Sequence, residues 1–154
     1  MNRPMRKQKR RLNNEDAAEL LRSGEYGILS MSTTENEGYG VPLSYAYADD
    51  AIYFHCATEG AKLDFLRTYP HASFCVVGKT EVLPAKFSTR FESAIAAGTV
   101  TEAEGDDKRK GLMLLVEKYS PDFMKEGEAY IDRAIDTVIV LKMNIEVLTG
   151  KASK

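Results

Sequence analysis

Cysteine is scarce in this chain. Cys56 and Cys75 are the two among 154 residues, and each lies in an apolar run. That excludes a disulfide framework and suits a reducing compartment. Histidine is equally scarce, with His55 and His71 alone. No CxxC or HxxxH spacing occurs, so a zinc centre is disfavoured, and nothing in the spacing singles out a Ser/His/Asp nucleophile. No run of 18 apolar residues is present, which leaves no transmembrane helix to expect. A secretory apolar segment is missing near the start, and the expected location is cytoplasmic. An excess of one charge is lacking too: 21 Lys+Arg face 23 Asp+Glu, whereas a general nucleic-acid binder should be basic.

What is there suits one domain of 13–154 behind a basic arm of 1–12. A chain of this size buries roughly 70% of its unfolded surface, enough for a core without staples. The arm carries six positive charges between Arg3 and Arg11. It is expected to be solvated and frayed, or else to reach a partner or a phosphate-bearing ligand.

Helix signals frame NNEDAAELLRSG: Asn13 or Asn14 as cap, acids in the first turn, Gly24 after the last periodic residue. YGILSMST is strand-like, and GVPLSYAY resumes an extended pattern with an irregular point expected near residues 41–43. ADDA is a tight turn into the strand IYFHCA. A helix AKLDFLRTY follows Gly60 and stops before Pro70. Strands ASFCVVGKTEVL and RFESAIAAGTVTEAE come next, then a helix opened by Asp106 or Asp107, a weaker helix over 123–134, and a last strand TVIVLKMNIEVLTG. Six strands in near-consecutive hairpins predict a mainly β chain, an antiparallel barrel or sandwich, not a Rossmann sheet. In the fifth strand Phe91, Ile95 and Ala97 share one face, and Ala94, Ala96, Gly98 and Val100 the other. Both faces are apolar or small, so the outer one should pack on helices or on a second copy of the chain.

Two stretches carry chemistry. The first is the junction of strand and helix at residues 53–70. A helix start presents unpaired N–H groups and a positive dipole end, which suits phosphate. Gly60 lets backbone approach, Lys62 adds charge in the first turn, Thr58 can donate a hydroxyl, and His55 stands at the strand end. Glu59 would have to turn away. His55 and Cys56, as neighbours on a strand, face opposite sides. GKT at 78–80 ends like a P-loop, but position 73, where the loop needs its first glycine, is serine. The second stretch is GVPLSYAY, whose ladder is incomplete at Pro42. Its free main-chain groups can bond a flat heterocycle, or it is simply an edge strand with a bulge.

In this order, GVPLSY followed by IYFHCATEGAKLDFLRTYP resembles the flavin-binding split β-barrel family, the pyridoxamine 5′-phosphate oxidase-like group. VVGKTEVLPAKFSTRFESAIAAGTV and EKYSPDF are similar to its branch related to 5-nitroimidazole resistance proteins. The resemblance runs from about residue 5 to 151. It implies a six-stranded antiparallel split barrel, a homodimer, and FMN at the subunit interface, with FAD possible. It implies that Pro42, Leu43, Ser44 and Tyr45 lie along the flavin ring, the last three through backbone contacts. His55, Cys56 and Ala57 would end against the ribityl chain and phosphate, and Gly60 and Lys62 would hold the phosphate. The oxidases carry an arginine where Ala61 stands, so His55, Thr58 or a partner's Arg90 and Ser93 would compensate. LTGKASK lacks the basic cluster that grips the vitamin phosphate, which argues against vitamin B6 oxidation. The expected activity is flavin-dependent reduction of a small aromatic or nitro-aromatic substrate, with His55 as the catalytic candidate. The alternatives are a flavin carrier or sensor, and a haem-binding barrel with His55 or His71 as axial ligand.

Overall fold

The structure is a computed structural model, and it describes residues 3–154. The first helix, Asn14–Ser23 (α1), starts as its sequence dictates. Asn13 accepts from the Asp16 N–H at 2.7 Å, Glu15 and Asp16 fill the first turn, and the Gly24 N–H closes the end on Leu20. Cap and acids each satisfy or offset the positive helix end.

Among the described residues eight strands follow the order β3-β2-β6-β7-β8-β5-β4, with β1 added on β8. They are Arg11–Leu12 (β1), Gly27–Ser32 (β2), Gly38–Leu43 (β3), Ala46–Ala48 (β4), Ala51–Cys56 (β5), His71–Leu83 (β6), Ser88–Ala103 (β7) and Ile139–Ser153 (β8). Every pairing is antiparallel. β3 and β4 are successive pieces of chain, yet they stand at opposite ends of this order. The sheet therefore curls on itself, and no ladder joins those two ends, so it stays open.

Eight strands replace the expected six for two reasons. The basic arm does not fray throughout: Arg11 and Leu12 pair with Lys151 and Gly150. Residues 1 and 2 of that arm lie outside the described residues. GVPLSYAY, expected as one strand, divides into β3 and β4, and the irregular point falls at Ser44–Tyr45 instead of residues 41–43. Pro42 sits in register opposite Ile28 on an edge strand, where its missing N–H breaks no second ladder. Asp49 and Asp50 both adopt positive φ (51° and 56°) between β4 and β5, the two-residue turn whose twist suits a hairpin.

The expected mainly β chain is a mixed one, an antiparallel sheet with helices around it. Ala61–Thr68 (α2), Gly105–Tyr119 (α3) and Met124–Ala134 (α4) join α1. Inside the curl Leu29, Phe54, Phe74, Val76, Met143 and Tyr45 are fully buried. Burying each such side chain stabilises by roughly 1.5–3 kcal/mol. Leu21 of α1 and Leu63 of α2 belong to the same cluster. A second cluster lies outside the sheet, where Ala51 and Tyr53 of β5 and Val140 of β8 meet Leu112 of α3 and Ile131 of α4.

β7 alternates as its sequence predicts. Ala94, Ala96 and Val100 point into the core, while Ile95 is 45% exposed on the outer face. The β7–β8 register slips between Ala97 and Gly98. There the backbones approach so closely that a Cβ on Gly98 would stand 1.9 Å from the Asn144 carbonyl oxygen. The outer face is thus divided. α3 and α4 cover β5 and part of β8, whereas Ile28, Val77 and Ile95 on β2, β6 and β7 remain exposed.

Candidate functional site

β5 carries the first candidate. Its inward residues Ile52 and Phe54 enter the main core, and Cys56 packs against that core on the same side. His55 consequently faces outward, toward α3 and α4, as strand alternation requires. It is exposed on the wall of a cavity of about 660 Å³. Leu115, Tyr119, Phe123 and Tyr130 are among its apolar and aromatic lining, and Ser44 lines it too. The break between β3 and β4 places Ser44 there, outside both ladders. Pro42, Leu43 and Ser44 also line a smaller adjoining hollow of about 360 Å³ with Glu25, Tyr26 and Tyr119.

Tyr119 joins the two hollows. Its phenol oxygen accepts from the Tyr45 N–H at 3.0 Å, and its proton is directed to the Glu25 carbonyl, with the Tyr45 carbonyl 3.1 Å away. Tyr45 itself drives its ring into the core and donates its hydroxyl to the Leu21 carbonyl. Burial, and then the neighbouring Tyr119, push the Tyr45 phenol above its ordinary pKa. Lys118, one residue before Tyr119, lays its ammonium 3.7 Å from the Tyr45 ring centre. That nitrogen is buried with no hydrogen-bond partner, and burial pulls its pKa down to about 8.

The strand-to-helix junction forms as read. Ala57 and Thr58 are exposed in the loop after β5. Gly60 caps α2 at φ +146°, a conformation reserved for glycine, with nothing within 4 Å of where a Cβ would stand. Its carbonyl accepts from the Leu63 and Asp64 N–H groups. Lys62 is half-buried and near Cys56. Burial raises the Cys56 thiol pKa, and the Lys62 charge draws it back. Arg67, later in α2, bonds Glu102 on β7 through Nε at 2.8 Å.

Ser44 and His55 therefore line one cavity, while Cys56 faces the main core from the other side of β5. Arg90 and Ser93 stand elsewhere. Arg90 pairs with Glu81 at 2.8 Å on the outer part of the β6–β7 hairpin. Ser93 lies on the outer face of β7, across from Val77 and Lys151. His71 begins β6 and is exposed, with Nδ1 3.5 Å from the Thr99 hydroxyl. Among the described residues no three His, Cys, Asp or Glu side chains converge on a metal-sized site. The same residues include no helix long and apolar enough to cross a membrane. Sequence reasoning missed Tyr119 as a site residue, since it meets Tyr45 from 74 positions away; the only signal for it was its place in EKYSPDF.

Residues 13–152 match the family model described as pyridoxamine 5′-phosphate oxidase. The chain belongs to the pyridoxamine 5′-phosphate oxidase-like family. Its fold is that of a crystal structure from Bacteroides thetaiotaomicron, a protein provisionally assigned to 5-nitroimidazole antibiotic resistance, with TM-score 0.80, 23% identity, and 94% of this chain and 90% of that one covered. An FAD and haem binding protein from Mycobacterium smegmatis is similar at TM-score 0.81 and 20% identity, over 92% of this chain and 72% of that one. An FAD-binding protein from Mesorhizobium loti is similar at TM-score 0.64 and 20% identity, over 94% and 98%. At these identities the likeness shows the split-barrel fold. No curated protein matches the chain.

Proposed function

We propose that this chain is an FMN-dependent oxidoreductase, active as a cytoplasmic homodimer, that reduces a small aromatic or nitro-aromatic substrate. The observation that carries the reading is the sharing of one apolar cavity by Ser44 and His55, with Tyr119 fixing the segment between β3 and β4. Family membership supports a flavin, and the relatives that bind FAD keep FAD open as the form used.

The residues present fit a flavin. The open space beside Gly60 and the charge of Lys62 suit a phosphate at the start of α2. The Tyr45 N–H already bonds Tyr119, so main-chain contacts to a ring fall to Leu43, Ser44 and the Tyr45 carbonyl, beside Pro42. When bound, FMN supplies electron transfer between a nicotinamide donor and the substrate. His55 would donate a hydrogen bond to a substrate oxygen from the cavity wall. Leu115, Phe123 and Tyr130 would keep water from it and offer apolar surface to an aromatic ring. The exposed Ile28, Val77 and Ile95 support a second copy on the outer face of β2, β6 and β7. The two free cysteines suit a reducing compartment.

A haem reading has one observation in its favour: an exposed imidazole, His55, on an apolar wall, in a fold shared with a haem-binding relative. Anaerobic addition of NADH or NADPH to FMN-loaded protein, followed by a 5-nitroimidazole, tests the main reading. Bleaching of the flavin and its reoxidation by the nitro compound are the expected results. Flavin that stays oxidised with either donor would reduce the protein to a carrier or sensor.

A further inference from the structure

A carboxylate interrupts the face that α4 turns to the His55 cavity. Phe123, Glu126, Tyr130, Ile131 and Ala134 line that space from α4 and the residue before it. Their three- and four-residue spacings keep side chains on one helix face. Such a stripe is ordinarily apolar throughout, yet here an acid stands between two aromatic residues. An acid in the first turn of α4 suits the helix dipole wherever it points, so the dipole does not account for its place on the cavity. Glu126 also differs from its neighbours in charge partners. Glu128 and Asp132 on the same helix face Arg109 of α3 at 3.8 and 2.8 Å. Among the described residues no ion pair includes Glu126, and no Lys or Arg lines the cavity.

Three aromatic residues accompany the carboxylate. Tyr119 lines the cavity from the end of α3, its hydroxyl engaged by Glu25 and Tyr45. Phe123 and Tyr130 are 61% and 59% exposed, so neither ring is there to fill the core. Exposed apolar side chains gathered on one hollow mark a binding surface. An aromatic ring attracts a cation through its quadrupole, and the more so where water is excluded. Glu126 supplies the matching negative charge and repels an anion. All of these side chains line one space of about 660 Å³, room enough for a ring with a short side chain. The space lies on the α3–α4 side of β5, apart from the exposed outer face of β2, β6 and β7.

We infer that this cavity takes an organic cation, an aromatic or heteroaromatic ring bearing a protonated or quaternary amine, with Glu126, Phe123 and Tyr130 holding the ammonium group. The inference rests on the reading of the cavity as the substrate's place, and it adds the charge that the substrate carries. Glu126 is then a specificity-determining residue, selecting the ligand without touching the group that is reduced.

The test is calorimetric titration of the full-length chain at neutral pH, with and without saturating FMN, using phenethylamine, 2-phenylethanol and phenylacetate. These are close in size and differ in charge. Saturable binding of the amine, about tenfold tighter than the alcohol and tighter still than the acid, is expected. Glu126→Gln should bring the amine to within a few-fold of the alcohol. Tyr130→Leu should weaken the amine more than the alcohol. Both side chains are exposed, so neither change empties the core. Four results would overturn the inference: no saturable binding of the amine, equal affinity for amine and alcohol, tighter binding of phenylacetate, or parental amine affinity in both variants. An amine preference in a protein whose flavin neither nicotinamide donor reduces would leave the cation site standing and remove the reductase reading. Reduction of a neutral nitroimidazole by a protein with no amine preference would do the reverse.

Discussion

Tyr119 holds Tyr45 by the backbone, its phenol oxygen 3.0 Å from the Tyr45 N–H and 3.1 Å from the Tyr45 carbonyl. The side chain of α3 thereby does the work of a missing strand neighbour at the break between β3 and β4. Without it, an N–H near the core would lack a partner. Tyr119→Phe should destabilise the chain by about 1–3 kcal/mol, the cost of leaving such a group unsatisfied. It should also weaken FMN, because Pro42, Leu43 and Ser44 lose their fixed position. Urea unfolding and flavin titration measure the two effects separately; a variant unchanged in both would remove Tyr119 from the site.

Gly98 lies where β7 and β8 come closest, and a Cβ there would overlap the Asn144 carbonyl at 1.9 Å. No side-chain rotation relieves contact with backbone. Gly98→Ala should therefore cost at least about 1–3 kcal/mol, the range for overpacked positions, seen as a lower urea midpoint. The exposed Gly38, with nothing within 4 Å of its Cβ position, is the control, and its alanine variant should leave the midpoint nearly unchanged.

Lys118 makes stability depend on pH with a definite sign. Burial takes its pKa from 10.5 down to about 8, so between those values the unfolded chain binds more protons than the folded one. Stability must then rise with pH in that interval. Above pH 10 the buried Tyr45 opposes the rise, since its phenol stays protonated in the fold and ionises when unfolded. Its cation–π contact with Tyr45 retains part of the charge's favour. Lys118→Met should flatten the rise between pH 8 and 10 in thermal melts; an unchanged slope would assign it to other groups.

His55 lies outside the packed core, so His55→Ala should leave the melting temperature nearly unchanged. It should lower turnover of a nitro-aromatic substrate by tenfold or more, or weaken FMN. Activity and flavin affinity both equal to the parent's would deny His55 any part in the site.

Local signals foretold much of this molecule. The Asn13 cap, the paired aspartates at 49–50 and the alternation of β7 act over a few residues, and each stands where the sequence indicates. His55 and Cys56 face apart because strand alternation demands it. Pro42 misled by one or two positions: a proline harms a ladder only where its N–H is needed, and on an edge strand it is not. The true break depends on Tyr45 seeking the core and on Tyr119 from α3, a meeting of distant residues that no short window contains. Arg90 is implied by resemblance as a partner's contribution to the phosphate, and within this chain it pairs with Glu81 across the hairpin. A charge run reads as a solvated arm or as one that reaches a partner or a phosphate, and neither reading foretells that Leu12 lies against Gly150 and docks the arm's end.

The most direct measurement is an absorbance spectrum of the freshly purified protein, with mass identification of whatever denaturation releases. The account predicts flavin bands, released FMN or FAD, and recovery of those bands when stripped protein is given FMN, with loss of that recovery in Lys62→Ala. A colourless protein that takes up no flavin, or a Soret band with haem released, would contradict it.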